Sequence, residues 1–395
     1  MISVEEAIRR IVAGFSPVAA ETVPIADAAS RVLAEDMSAR LDQPPSPASS
    51  MDGYAVRAAD AVAGRSLRVI GASPAGDPFG GTLNAGEAVR IFTGGVVPAG
   101  ADAVVIQEDT EAKGDAVHIR ESAHAGKHIR AAGLDFRKGD VLAAAGKRLT
   151  PRDLALLAAG DIAQVAVRRH PQIAFVATGD ELSRPGEARK PGGIVASSGY
   201  GLAAMIAAWG GAPRDLGILP DTAEAIAGLP ALAHGADLIV TLGGASVGDH
   251  DLVQRALGPQ GFVLDFWKIA MRPGKPLIFG RLGATPLLGL PGNPVSTLVC
   301  AMLFLKPAIA AMLGVPRLAD VRSARLAKDL PANDDRQDYL RARLLVRDGE
   351  LWVEPFAVQD SSMLGTLARA DALVVRAPGA PAAKAGERAA FLGVE

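Results

Sequence analysis

Cysteine is almost missing from the 395 residues: Cys300 stands alone. An intramolecular disulfide framework and a Cys-based zinc site are therefore excluded, and a cytosolic address is the natural expectation. An excess of basic charge is missing too, since 41 Lys+Arg stand against 43 Asp+Glu for a formal net charge of -2. A nucleic-acid surface needs clustered cations, so an anionic partner has to be met by a local site. The opening MISVEEAIRRIV places Glu5, Glu6, Arg9 and Arg10 where an export signal needs an unbroken apolar stretch. Long apolar runs are interrupted as well. Gly192 to Pro213 and Pro286 to Leu305 carry no charge but are broken by Gly, Pro and Asn, so each is expected to hold a short buried helix and neither to span a bilayer. There is no repeat of 20 to 50 residues.

What is present is a globular composition, 49% hydrophobic and 21% charged, with length for about two to three domains. Ser3-Val4-Glu5-Glu6 reads as a capping box, with Val4, Ile8, Ile11 and Val12 at helical spacing behind it. A second short helix is expected from Asp27 to Glu35. After it, Pro44, Pro45 and Pro47 make LDQPPSPASS a linker or surface loop. The runs SLRVI, AVRIF, DAVVIQ and AVHIR between turn residues predict a small β domain. Thr150-Pro151-Arg152-Asp153 starts a helix that Gly160 should close.

From Gln172 to Gly314 the order is strand IAFVAT, helix GLAAMIAAW, strand DLGIL, helix AEAIAGLPALA, strand DLIVTL, a Gly-rich loop and a helix. Continuous apolar strands alternating with helices predict a doubly wound parallel sheet. Ligands then meet the carboxyl ends of the strands, where TGDEL and GGASVGDHD fall. RARLLVRDGELWVEPF is a hairpin turning at Asp348-Gly349. The fold class is therefore multidomain α/β, a doubly wound domain flanked by β-rich ones. The boundaries are 1–50 plus 140–170 for an N-terminal helical and linking domain, 51–139 for a small β domain, 171–318 for the α/β domain and 319–395 for a C-terminal β domain.

GGASVGDHD offers backbone amides freed by Gly243, Gly244 and Gly248, the Ser246 hydroxyl, and Asp249 and Asp251. Such a loop suits an anion with a divalent cation, or is a plain strand-to-helix turn with Asp caps. IAMRPGKPLIFG places Lys268, Arg272 and Lys275 around a Pro-Gly turn, as an oxyanion clamp or as solvated loop charges. Pro291 and Pro294 bracket Asn293 in a rigid turn before a helix. Asp52 lies in SSMDGYAV, where Asp-Gly is also an ordinary turn and Met51 and Tyr54 ordinary core. GYGLAA matches a dinucleotide pattern only weakly, His124 and His128 lack a third ligand, and Cys300 in LVCAMLFL reads as packing.

Taken in order, SSMDGYAV, IFTGGVVPAGADAVVIQED, GLDF, ATGDEL, GGASVGDHD, WKIAMRPGKP, LPGNPVS and SSMLGTLARADAL resemble the molybdopterin molybdenumtransferases, the MoeA type that also forms the E domain of gephyrin, over essentially the whole chain. The resemblance implies a homodimer of elongated four-domain subunits. It implies insertion of molybdenum from molybdate into the dithiolene of adenylylated molybdopterin, with Mg²⁺ assistance and release of AMP. A molybdopterin adenylyltransferase would be the partner that supplies the substrate. Matched motif by motif, the implied functional positions are Asp52, Thr93, Asp135, Glu181, Asp221, Asp251, Lys268, Lys275, Pro291, Pro294, Arg341 and Ser361, with Asp221, Asp251 and Glu181 holding the metal. The chain departs where the family often has Lys at Arg272, Asn at Ser198 and Val at Ala245. Two other readings are an adenylyltransferase, similar to Gln172 to Gly314 alone, and a non-catalytic scaffold of the gephyrin kind.

Overall fold

The computed structural model describes residues 1–243, 249–316 and 321–394, with only the backbone described over 249–252. The chain divides into two compact units, Met1–Glu21 with Arg168–Glu395, and Thr22–Val167.

Within Thr22–Val167 a six-stranded sheet runs in the order Ala103–Ile106, Gly53–Val56, Glu87–Ile91, Ser66–Ser73, Ala116–Ile119, Thr110–Lys113. Its strands alternate: Tyr54 and Val56 join Leu67, Val105 and Val117 on one side, while Ala55 joins Val89, Ile91 and Val104 on the other. Both faces are thus apolar and covered. A second core gathers Leu33, Leu149, Leu157, Ile162 and Val167 under the helix Pro151–Ala159. That helix opens on a full capping box, the Thr150 hydroxyl taking the Asp153 N–H and the Asp153 carboxylate taking the Thr150 N–H. Gly160 follows it with an ordinary φ of -79°, and the left-handed residue is Asp161 at 61°.

Two sequence expectations change here. No helix forms from Asp27 to Glu35: a 3-10 turn covers Ile25–Asp27, Ser30 takes a left-handed φ, and Val32 and Leu33 extend to bridge Arg148 and Val167. Tertiary pairing of two buried β-branched and leucyl side chains outweighs a weak helical preference. Nor is the proline-rich segment a free linker, because Gln43 bridges Phe136 and Ala48–Ser49 pairs antiparallel with Ile129–Arg130.

In the other unit the helix Val4–Ala13 buries Val4, Ala7, Ile8 and Ile11. Ser3 caps it, but Glu6 spends its carboxylate on Arg9 and Arg10, so only half of the expected box forms. The main sheet has the order Ala212–Leu219, Gln172–Thr178, Leu238–Leu242, Thr285–Leu290, Ile278–Leu282, Phe262–Trp267. The first four strands are parallel; Gln172–Thr178, Leu238–Leu242 and Thr285–Leu290 are largely buried, while Ala212–Leu219 at the edge is only partly covered. The last two are antiparallel, an edge that the α/β alternation alone does not reveal.

The helix after this sheet is longer than expected, running Pro294–Met312 over 19 residues, of which 67% of the most apolar window is buried. By length and composition it could cross a membrane; its burial is that of a core helix. It winds as α over Pro294–Cys300, as π over Ala301–Leu305 and as α again over Lys306–Met312. Pro307 has no N–H to give the Leu303 carbonyl, which accounts for the widened turn. The C-terminal sheet joins Gln337–Arg347, Glu350–Pro355, Val321–Leu326, Arg388–Gly393 and Ala372–Arg376, with Met271–Arg272 added at one edge. Arg347 faces Glu350 across the expected Asp348-Gly349 turn.

Candidate active site

The four parallel strands end level with one another. Thr178 is in register with Leu219, Ala177 with Leu242, and Leu242 with Leu290. Beyond these ends the backbones cross at close quarters. Gly179 N–H donates to the Leu219 carbonyl and Gly243 N–H to the Leu290 carbonyl, each at 3.1 Å. Gly243 has φ 93°, and a Cβ there would sit 3.0 Å from the Thr178 carbonyl, so no other residue fits without displacement. Gly292 lies against Gly243 as well, where a Cβ on Gly292 would meet the Gly243 Cα at 3.5 Å, in ordinary contact. Glu181, Asp221, Gly243 and Pro291 are therefore carried by adjacent strand ends, as expected of a crevice at the carboxyl edge.

Glu181 is exposed, its carboxylate folded back over Gly179 and its carbonyl held by Ile194 N–H at 2.9 Å. Asp221 is exposed just past Leu219-Pro220. Gly244, Ala245, Ser246 and the side chain of Asp251 lie outside the described residues, although the helix Asp249–Leu257 begins where Asp caps were expected. Among the described residues no group of three His, Cys, Asp or Glu is close enough to hold a metal. The donor set that Glu181, Asp221 and Asp251 would offer is all carboxylate oxygen, which suits Mg²⁺ by type.

Pro291 and Pro294 form the rigid turn the sequence predicts. Pro294 starts the helix, and the buried Thr297 hydroxyl donates to the Pro291 carbonyl at 2.5 Å and to that of Asn293 at 3.0 Å. Ser361 is brought to this turn from far along the chain. Its hydroxyl accepts from Asn293 Nδ2 at 3.0 Å and its carbonyl from Val295 N–H at 3.2 Å. Next to Ser361, the Asp360 carbonyl accepts from Arg341 Nη2 at 3.1 Å. Arg341 is fully buried, and its Nε and Nη1 meet no acceptor among the described residues. Burial pushes its pKa down, while the Asp360 charge pulls it back up. Gln359 closes around its backbone, taking the Arg341 N–H at 2.9 Å and donating to the Arg341 carbonyl at 3.0 Å. Asn293 and Gln359, which the sequence did not single out, are joined by hydrogen bonds to Ser361 and Arg341.

The three clamp cations are not equivalent. Arg272 is already engaged, donating Nε to Asp338 at 2.9 Å and Nη2 to Asp334 at 2.8 Å. The expectation of a cation trio with little opposing charge fails at this position, because the two acids come from more than 60 residues away and join through the Met271–Arg272 to Gln337–Asp338 pairing. Lys268 takes a left-handed φ of 71° and stacks its Nζ 3.6 Å over the Trp267 ring. Lys275 is exposed and makes no ion pair with the described residues. Between Arg272 and Lys275, Gly274 at φ 107° packs so near Cys300 that a Cβ would collide with the sulfur. Cys300 is inert packing, as expected, and burial pushes its thiol pKa up.

In the Thr22–Val167 unit Asp52 and Thr93 meet directly. Asp52 Oδ1 accepts the Thr93 N–H at 2.7 Å and its hydroxyl at 2.8 Å. These two bonds hold the Asp52 carboxyl below its usual range, against some desolvation, with the Arg90 charge adding to the effect. Tyr54 is core, but Met51 is 39% exposed, not buried as an ordinary core residue would be. Asp135 is exposed on the turn after Gly133, its N–H bonded to the Gln43 carbonyl at 2.9 Å.

Comparison with known proteins adds the following. Residues 2–160 match the MoeA N-terminal region (domain I and II), 174–311 a probable molybdopterin binding domain and 323–393 the MoeA C-terminal region (domain IV). A molybdopterin molybdenumtransferase of Haemophilus influenzae is 35% identical over 368 residues, covering 91% of this chain and 90% of that one. Molybdopterin molybdenumtransferase 2 of Mycobacterium tuberculosis is 38% identical over 335 residues, covering 82% and 83%. The crystal structure of a molybdopterin biosynthesis MoeA protein from Pyrococcus horikoshii OT3 superposes with a TM-score of 0.86 at 28% identity, covering 100% of both chains.

Proposed function

The chain belongs to the MoeA family of molybdopterin molybdenumtransferases and is a transferase of molybdenum cofactor biosynthesis; from that premise we propose that it inserts molybdenum from molybdate into the dithiolene of adenylylated molybdopterin and releases AMP. One observation supports this most: Arg341 holds a buried positive charge one peptide from Ser361, which hydrogen-bonds to the Pro291-Asn293-Pro294 turn at the strand ends. A dianion approaching a substrate that carries thiolates and phosphates meets like-charge repulsion of several kcal/mol, on the order expected for close charges in a partly dry site. Fixed cations must offset it without first being stripped from carboxylates.

Arg341 and Lys275 meet that condition; Lys268 adds charge from its stacked position, and Arg272 contributes through its engagement to the turn's rigidity. Ser361 and Asn293 supply neutral donors that orient oxygens, while the Thr93 hydroxyl, whose proton goes to Asp52, holds that carboxylate in place. Asp52, Glu181, Asp221 and Asp251 act on the phosphate side, and the last three would hold Mg²⁺. Bound there, the ion would neutralise phosphate charge. Asp135 serves the substrate from the same unit as Asp52. We further infer a homodimer whose partner subunit completes each site, a cytoplasmic address, and delivery of substrate by a molybdopterin adenylyltransferase.

The test is incubation of the pure protein with adenylylated molybdopterin, molybdate and Mg²⁺, following AMP and active cofactor. Release of AMP in step with cofactor formation is expected. Net adenylylation of molybdopterin from ATP would favour the adenylyltransferase reading, and neither activity would favour the scaffold.

A further inference from the structure

Asp52 is not held by Thr93 alone. It sits where three neighbouring strands of one sheet end together: Gly53–Val56, with Gly53 opposite Ile91 and Ile106, then Glu87–Ile91 leading into Phe92-Thr93, and Ala103–Ile106 leading into Gln107. One side chain spans all three ends. Arg90, directly across from Tyr54, donates Nη1 to the Gly53 carbonyl at 3.2 Å and Nη2 to Gln107 Oε1 at 2.8 Å. Its guanidinium lies 5.0 Å from the centroids of both the Tyr54 and Phe92 rings. Gln107 N–H in turn donates to the Asp52 carbonyl at 3.0 Å. Gly53 permits this arrangement, since a Cβ there would run into the Val105 carbonyl.

We propose that Arg90 is the positioning residue for Asp52, locking the Asp52-Gly53 turn to the strand ends that carry Thr93 and Gln107. The fork is the important feature: a planar cation can bond two acceptors in one plane and still stack on rings, which an ammonium cannot. It also gives a reason for the 37% exposure of Phe92, whose ring is retained at the surface because it covers the guanidinium. Without Arg90 the turn keeps its strand pairing, but the carboxylate loses its fixed distance to the Thr93 donors. Other titratable or charged groups on the surrounding elements include Tyr54, Glu108, which Gln107 Nε2 approaches at 3.5 Å, Asp109 beside it, the Arg68–Glu87 pair at the other end of the Arg90 strand, and His128, whose carbonyl accepts from Ser50.

This inference rests on Asp52 belonging to the reaction, so the experiment includes that residue. AMP release by the full-length parent, Arg90→Lys, Arg90→Ala and Asp52→Ala is measured against molybdate and adenylylated molybdopterin. In parallel, the Thr93 amide proton is followed by NMR as pH is lowered, and thermal midpoints are recorded. Arg90→Ala is expected to lower kcat about tenfold, the worth of one charge-assisted contact, with KM for both substrates within about twofold. Arg90→Lys should recover only part of that. In both variants the Thr93 amide titration should move to higher pH, because the cation that favours the Asp52 carboxylate is gone or displaced. Inactive Asp52→Ala together with parent-like kcat and an unmoved Thr93 titration in the Arg90 variants would reduce Arg90 to packing and overturn the proposal alone. Full activity in Asp52→Ala would instead overturn the assignment of Asp52, and the positioning role with it. If Arg90→Ala fails to fold, Arg90→Lys decides by the same two readouts.

Discussion

Lys268, Arg272 and Lys275 carry one formal charge each and differ in what stands opposite them. Arg272 faces Asp338 and Asp334 in a two-armed ion pair, and Lys275 faces solvent. Their substitutions should therefore read out differently. Lys275→Ala is expected to raise the molybdate concentration for half-maximal insertion about tenfold, near 1.4 kcal/mol and the low end for a charged contact because the side chain is exposed. An unchanged molybdate dependence would remove Lys275 from the anion site. Arg272→Ala is expected to leave that dependence alone and to lower unfolding free energy by about 1 kcal/mol in denaturant titration, the upper end for a pair that is half solvated. A large rise in the molybdate requirement there would mean that the anion displaces Asp334. The basic residues were legible in IAMRPGKP. The neutralisation of one of them was not, because Asp334 and Asp338 are 62 and 66 residues away and only strand pairing brings them in. Asp52 shows the reverse: Asp-Gly reads as any turn, and the family motif, not local chemistry, singles it out; its bonds to Thr93 depend on a strand end 41 residues away.

Among the elements, runs with a single strong period were legible and mixed ones were not. IAFVAT, DLIVTL and the helix behind Ser3 fell where their apolar spacing put them. The Asp27 to Glu35 segment did not, since its buried Val32 and Leu33 serve a β bridge as well as they would serve a helix. The antiparallel sheet edge and the π turn before Pro307 depend on neighbours that periodicity does not encode. Thr150 was legible as a cap, and its full box makes a clean stability test. Lys147 and the Thr150 N–H hold the nearly buried Asp153, against a desolvation that raises it, at a pKa of about 2. Since the folded pKa lies below the unfolded one, its contribution is complete above the ordinary Asp range and is lost as pH falls toward about 2. Unfolding free energies measured on the full chain from neutral to acid pH should show this decline in the parent and a shallower one in Asp153→Asn. Thr150→Ala should cost about 1 kcal/mol at neutral pH. Equal acid slopes in parent and Asp153→Asn would assign the decline to other carboxylates.

For the whole molecule, the acids assigned to one reaction lie in two compact units: Asp52 in Thr22–Val167, Glu181, Asp221 and Asp251 in the other. If each site of a homodimer takes Asp52 from one subunit and Asp251 from its partner, complementation has a definite yield. Asp52→Ala and Asp251→Asn homodimers are each expected to be inactive. Mixed and reassorted in equal amounts, about half of all dimers are heterodimers, and in each of these one site receives both defects while the other receives neither. The mixture should then recover about a quarter of parent AMP release per subunit. A site built within a single chain predicts no recovery, because every chain in the mixture still carries one defect. Tagging the two variants differently and isolating the heterodimer raises the expected value to about half of parent and removes incomplete exchange as a variable. A purified heterodimer as inactive as its parents would place Asp52 and Asp251 in the same subunit's site.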